Sequence, residues 1–170
     1  MDAAGRRRAI ARTLQDATCP VPAAALGERF GVSRQIVVGD VALLRAGGLD
    51  ITATPRGYLL GGGAEVGERH TVAVIHGFDG MERELNIMVD NGCTVLDVVI
   101  EHAVYGQLTG SLHLRSRRDV QEFMRRSRAA GGSPLSTLTG GIHTHTLLCP
   151  DADSYARCTQ ELREAGILLE

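Results

Sequence analysis

The sequence predicts an α+β protein in two parts: three helices closed by a β-hairpin, then a β-α-β-β-α-β segment. Three observations predict it. Apolar residues up to about residue 60 recur mostly at helical spacing, whereas beyond it short β-prone runs alternate with helical ones. Between the two stands Gly61-Gly62-Gly63, followed by the largely polar Ala64–Glu68, a composition with high backbone entropy that marks a linker. Charge divides at the same place, with eight Arg against five acids in residues 1–62 and ten against fifteen in residues 63–170. A basic part joined to an acidic part implies that only the first meets a polyanion. The expected domains are 1–62 and 63–170.

In the first part Arg6–Gln15 reads as a helix, with Ile10 and Leu14 on one face. Cys19-Pro20-Val21-Pro22 interrupts it, and Pro22 stands near the start of a second helix over Ala23–Phe30. Gly31-Val32 is a tight turn. Ser33 then caps a third helix running to about Ala46, whose core stripe is Val37, Val41 and Leu44. Leu49–Thr54 and Tyr58–Leu60 are β-prone runs around the turn Pro55-Arg56-Gly57. In the second part the predicted order is strand His70–Gly77, helix Met81–Asn91, strand Thr94–Ile100, strand Gln107–Leu114, helix Arg117–Ala129, strand Leu138–Leu148 and helix Asp151–Ala165. That order matches the split βαβ (ferredoxin-like) arrangement, in which first and last strands are neighbours.

Composition excludes several classes. Hydrophobic residues make up 44% of the 170, too many for a disordered chain. No apolar stretch approaches the roughly 18 residues of a membrane span, and the N-terminus lacks the pattern of a secretory signal. Cys19, Cys93, Cys149 and Cys158 are scattered without a C-x-x-C pair, which points to reduced buried thiols in a cytoplasmic protein. All 18 basic residues are arginine, which genome base composition explains without any nucleic acid.

A short helix, a glycine turn and a helix opening on small polar residues form the pattern of a helix-turn-helix, whose second helix enters the major groove. Ser33, Arg34 and Gln35 occupy that opening turn. Arg pairs with guanine, Gln with adenine, and Ser with phosphate. Arg56 sits at the hairpin tip, where a wing residue reaches DNA, and Arg6, Arg7 and Arg8 are further phosphate contacts. On periodicity alone, solvated arginines on a small helical domain explain the same residues. The stretch Gly31-Val32-Ser33-Arg34-Gln35 … Leu43-Leu44-Arg45-Ala46-Gly47 … Thr54-Pro55-Arg56-Gly57-Tyr58 resembles the winged helix-turn-helix of the biotin-operon repressor and its relatives. The resemblance implies operator DNA as partner, with Ser33, Arg34, Gln35, Arg45 and Arg56 toward it. Gly39 departs from the pattern, standing mid-helix where such repressors carry a polar residue.

In the second part the histidines are informative. His143 and His145, two apart on a predicted strand, project to one face. His76 closes the neighbouring strand, and Glu84 on the following helix supplies a carboxylate. Three His and one Glu form a borderline donor set for Zn, Ni, Fe or Co. A half-exposed strand face explains the H-x-H equally simply. His76 with Glu84, then Val99-Ile100-Glu101-His102-Ala103-Val104-Tyr105-Gly106, then Leu138-Thr139-Gly140-Gly141-Ile142-His143-Thr144-His145 resemble the 3H domain. With the winged helix, the chain over residues 6–170 resembles the niacin-responsive repressors of NAD biosynthesis and niacin uptake, the NiaR/YrxA family. The resemblance implies a homodimer, nicotinic acid as co-repressor, and a divalent transition metal (Ni, Zn or Fe) at His76, Glu84, His143 and His145. His102 and Tyr105 are candidates for the rest of the ligand pocket, or alternatively a turn residue and a packing aromatic.

Three functions fit these readings. The first is a ligand-gated repressor and the second a repressor for which metal alone is the signal. The third, a metalloenzyme with a DNA-binding appendage, is disfavoured because no second carboxylate or nucleophile groups with the histidines. The expectation is a regulator and not an enzyme.

Overall fold

A computed structural model describes residues 2–61, 65–131 and 133–170. The chain separates into two compact units, Met1–Ala64 and Glu65–Glu170. Gly62, Gly63 and Ala64 of the expected linker lie outside the described residues.

The first unit is three helices and a hairpin. Helix α1 (Ala3–Asp16) starts at Asp2, whose carboxylate accepts from the Gly5 amide at 2.8 Å. Helix α2 (Ala23–Phe30) ends at Gly31, where φ of 65° turns the chain through the left-handed region open to glycine. Ser33 caps α3 (Arg34–Ala46) by accepting from the Ile36 amide. Strands β1 (Ile51–Thr54) and β2 (Gly57–Leu60) pair antiparallel, Ile51 opposite Leu60. Ile10, Leu14, Leu26, Val37, Val41 and Ile51 close one core. Burial of each such side chain contributes about 1.5–3 kcal/mol. The hairpin is tied to the segment before α2, because Val21 and Tyr58 exchange both backbone hydrogen bonds at 2.9 Å.

The second unit contains β3 (Glu68–Ile75), α4 (Met81–Asp90), β4 (Thr94–His102), β5 (Gly106–Leu114), α5 (Arg117–Ala129), β6 (Ile142–Cys149) and α6 (Ala152–Glu164). The sheet order is β3-β6-β4-β5 and every neighbouring pair is antiparallel. Parallel strands β3 and β4 are thus separated by β6, and parallel β5 and β6 by β4, so both βαβ units are split as expected, but the first strand lies at the sheet edge and the last inside it, the reverse of the ferredoxin-like order. First and last strands are neighbours, and β6 is interior. Helix α4 touches α5, α6 and β4, while α6 touches β3 and β6, forming one helical layer. Its core runs from Val72 and Val74 through Leu85, Met88, Val95 and Leu147 to Leu162. The C-terminal Ile167–Leu169 covers the outer edge of β3, with the Ile75 amide donating to Ile167 and the Leu169 amide to Ala73.

Two of the boundary shifts bear on the histidines. The strand expected from Leu138 begins at Ile142, because Leu135–Thr139 form a 3-10 turn and Gly140 and Gly141 take positive φ. His76 lies just past β3, opening the loop into a second 3-10 turn, Phe78–Gly80. Of the four cysteines, Cys93, Cys149 and Cys158 are buried and Cys19 is exposed. Spacing alone does not bring Cys93 and Cys149 together; the fold sets their Sγ atoms 2.8 Å apart. Among the described residues, no helix is long and apolar enough to cross a membrane.

Candidate metal centre and DNA-reading face

The apolar stripe of α4 is interrupted by a carboxylate. Met81, Leu85 and Met88 are buried at the spacing of one helix face, and Glu84 on that face is 0% exposed. An isolated buried carboxylate costs several kcal/mol unless it is paired. Partners come from the sheet beneath. On β6, buried residues alternate as His143, His145, Leu147 and Cys149, so both rings point into the helical layer. His76 reaches the same place from the end of β3, since Val74 pairs with His143 and Ile75 with Ile142.

The three imidazoles share one carboxylate. His76 Nε2 lies 2.6 Å from Glu84 Oε2, and His143 and His145 each place Nε2 3.3 Å from Oε1. The His76 and His145 rings both stand edge-on to His143, with centroids 4.9 Å away. Donor atoms of His76, Glu84 and His143 all fall within 4.8 Å of one another. His145 joins this triplet through Glu84 and His143.

Each ring is oriented from behind by a backbone carbonyl. His76 Nδ1 donates to Gly77 O at 2.6 Å, His143 Nδ1 to Gly141 O at 2.9 Å, and His145 Nδ1 to Asp97 O at 2.6 Å. A carbonyl only accepts, so in all three rings the Nδ1 carries the proton and Nε2 faces Glu84. This is the outer-shell pattern that fixes metal-ligating histidines. A second observation agrees with it. Glu84 Oε1 and His145 Nε2 are buried with no hydrogen bond of good geometry, although they are 3.3 Å apart. A divalent cation among the three Nε2 atoms and the carboxylate satisfies both. One carboxylate and three imidazoles suit Zn, Ni, Fe or Co.

The electrostatics are those of a tightly coupled cluster. Burial pushes the Glu84 pKa up, but the charge of His145 and the three imidazole Nε2 groups turned toward it outweigh it and hold the carboxyl well below its usual value. For His76 and His145, burial pulls down and Glu84 pulls up harder, so both pKa values are raised.

His102 and Tyr105 stand elsewhere in the second unit, at the β4–β5 turn. There the His102 Nδ1 accepts from the Val104 and Tyr105 amides, and the two rings lie 5.1 Å apart. Tyr105 is 73% exposed. No hydrogen bond or ring contact joins this pair to the His–Glu cluster among the described residues.

In the first unit, Arg34 and Gln35 are exposed on the opening turn of α3, beside the Ser33 cap. Arg56 lies in the β1–β2 turn, its amide donating to Thr54 Oγ1. Arg45 has a structural attachment: its Nε donates to Ile51 O at 2.7 Å and its guanidinium lies 5.8 Å from the Tyr58 ring centre. Arg6 and Arg7, expected toward phosphate, turn inward instead. Arg6 Nε bonds Asp40 Oδ2 at 2.6 Å and Arg7 approaches the same buried carboxylate at 3.6 Å. Asp40 sits on the inner face of α3 and needs the counter-charge; helical spacing alone does not reveal that its partner is on α1.

A family profile described as an HTH domain matches residues 6–59, and one described as the 3H domain matches residues 69–170. A probable transcription repressor, NiaR, of Thermotoga maritima is 41% identical over 97% of this chain and 94% of its own length. The transcription repressor NadR of Bacillus subtilis is 37% identical over 98% of this chain and 94% of its own.

Proposed function

This chain belongs to the family of transcription repressors that join an HTH domain to a 3H domain, and from that premise we propose a repressor whose grip on operator DNA is set by nicotinic acid at a divalent-metal centre. Residues 1–62 are the operator-binding domain and 63–170 the sensing domain. Ser33, Arg34, Gln35 and Arg56 meet the DNA, and Arg45 braces the wing against α3. His76, Glu84, His143 and His145 hold the metal. The metal supplies a Lewis-acid position that the carboxylate or ring nitrogen of nicotinate can fill, and His102 and Tyr105 are the candidates for further ligand contacts. The protein works as a homodimer in the cytoplasm, with genes of NAD biosynthesis or niacin uptake as its targets.

The observation that carries this reading is the set of three imidazoles, each with Nδ1 fixed on a backbone carbonyl and Nε2 turned to one buried carboxylate. A purely structural buried histidine needs no such common target. The test is operator binding by fluorescence anisotropy at fixed salt, using a duplex selected from a random library. Protein stripped with chelator is compared with Zn- or Ni-loaded protein, each with and without nicotinate. A coupling of about 1–3 kcal/mol changes affinity about 5–150-fold on adding nicotinate to loaded protein. Identical affinities in all four states would overturn the proposal, and a response to metal alone would replace nicotinate with metal as the signal.

A further inference from the structure

The sheet is irregular at one place, and that place is beside the histidines. Between β4 and β6 the paired residues are Val95 with Leu147 and then Val99 with Thr144, so three residues of β4 span two of β6. On its other side β4 is short by one: Leu96 alone spans Leu112 and His113 of β5, and His113 takes a positive φ of 52°. Such a bulge opens a ladder and redirects the groups in it.

Asp97 occupies this opening. Its carboxylate Oδ1 accepts from the Thr146 amide at 2.9 Å, taking the part that a carbonyl of β4 plays in a regular ladder. Its own carbonyl accepts from His145 Nδ1 at 2.6 Å. One residue therefore holds the backbone just after His145 and the ring of His145 itself. Gly77 and Gly141 hold the other two rings through carbonyls alone.

We propose that Asp97 is a positioning residue for the metal centre, its side chain clamping β6 at Thr146 so that its carbonyl keeps the proton of His145 on Nδ1 and leaves Nε2 for the cation. The inference rests on the metal reading above, but the tautomer of His145 can be measured without metal. A bulge that brings a side chain and a carbonyl of one residue to one strand leaves no spacing signature in the sequence.

The experiment compares wild type, Asp97→Asn, Asp97→Ala and His145→Ala. Affinity for Zn or Ni is read by competition with a chromophoric chelator, and the ring-nitrogen tautomer of His145 by NMR of the metal-free protein at alkaline pH, where the ring is neutral. Asp97→Ala is expected to weaken metal binding about 10–100-fold and to lose the Nδ1–H state. Asp97→Asn keeps the amide-accepting oxygen, so it is expected to retain the Nδ1–H state and bind within about threefold of wild type. An Asp97→Ala protein that keeps wild-type affinity and the wild-type tautomer overturns the proposal. If Asp97→Ala does not fold, Asp97→Asn decides: a folded Asn variant with the proton moved to Nε2 overturns it, and one with Nδ1–H and near-normal affinity supports it. Wild type that binds no metal sinks the metal reading alone, and the tautomer comparison still judges Asp97.

Discussion

His76 Nε2 and Glu84 Oε2 lie 2.6 Å apart in a buried contact that only a proton or a cation can hold together. With the ring's Nδ1–H committed to Gly77, a neutral His76 would set a lone pair against a carboxylate. Without metal, a proton on His76 Nε2 relieves that opposition, and the pairing with Glu84 raises the His76 pKa accordingly.

Glu84→Ala removes the carboxylate that the three imidazoles share. Breaking a buried pair by deleting one partner costs about 3–5 kcal/mol, because the other charge stays buried. Urea denaturation at pH 6 in the presence of chelator is expected to show a loss of that size, and equilibrium dialysis a loss of divalent-metal binding. A variant as stable as wild type under those conditions would contradict the shared-proton arrangement.

The pH dependence of the metal-free protein follows from the same groups. His76 and His145 have raised pKa values in the fold, so their contribution is complete below the ordinary value of 6.5 and is lost as pH rises through the raised values. Glu84 is lowered, so its contribution is present above its ordinary 4.5 and is lost as pH falls through the depressed value. Metal-free stability should be greatest from about pH 4.5 to 6.5 and fall on the alkaline side. Metal requires neutral imidazoles, so its affinity should rise over the same alkaline range, with proton release. Thermal denaturation from pH 5 to 8.5, with chelator and with excess Zn, tests both slopes; metal-free stability that climbs above pH 7 would refute the assignment.

Gly80 gives a local probe of His76. A Cβ added there would lie 2.7 Å from His76 Cβ and 2.9 Å from its Cγ, and Gly80 has a negative φ that alanine accepts. The clash therefore falls on the imidazole. Gly80→Ala is expected to weaken metal binding at least tenfold in chelator competition while the first unit keeps its fold by circular dichroism. Unchanged metal affinity would mean that His76 does not take part.

Much of this was legible in the sequence. Ser33 at a helix start, the Ile10–Leu14 and Val37–Val41 stripes, and the two-residue step from His143 to His145 are local patterns that the fold keeps. Glu84 was legible only as a carboxylate near a histidine-bearing strand; that it replaces a hydrophobe on the buried face of α4 follows from the phase of that helix. The non-local partners were not legible. Asp40 with Arg6, Cys93 with Cys149 and Asp97 with His145 are joined by packing across 34, 56 and 48 residues, and no period encodes them. The start of β6 is not legible because Leu138-Thr139-Gly140-Gly141 leads directly into the β-prone run from Ile142, and the glycines adopt positive φ there instead of extending the strand.

The two glycines inside α2 and α3 should respond to alanine with opposite signs. Gly39, the departure from the winged-helix pattern, is exposed mid-helix, and an added Cβ meets nothing within 4 Å. Alanine there stabilises the helix by about 1 kcal/mol through propensity alone. Gly27 is buried within α2, facing the turn into α3, where an added Cβ would lie 2.7 Å from the backbone oxygen of Val32. That oxygen belongs to a segment already pinned, since the Val32 amide donates to Gly27 O at 2.9 Å, so it has little room to yield. Gly27→Ala is expected to cost about 1–3 kcal/mol by overpacking. Chemical denaturation of both variants of the full chain tests the pair. If α3 lies against DNA as proposed, Gly39→Ala gains stability while operator affinity stays level or falls, because the open space at Gly39 is then where the duplex approaches. Stability and affinity rising together would place the DNA against another face.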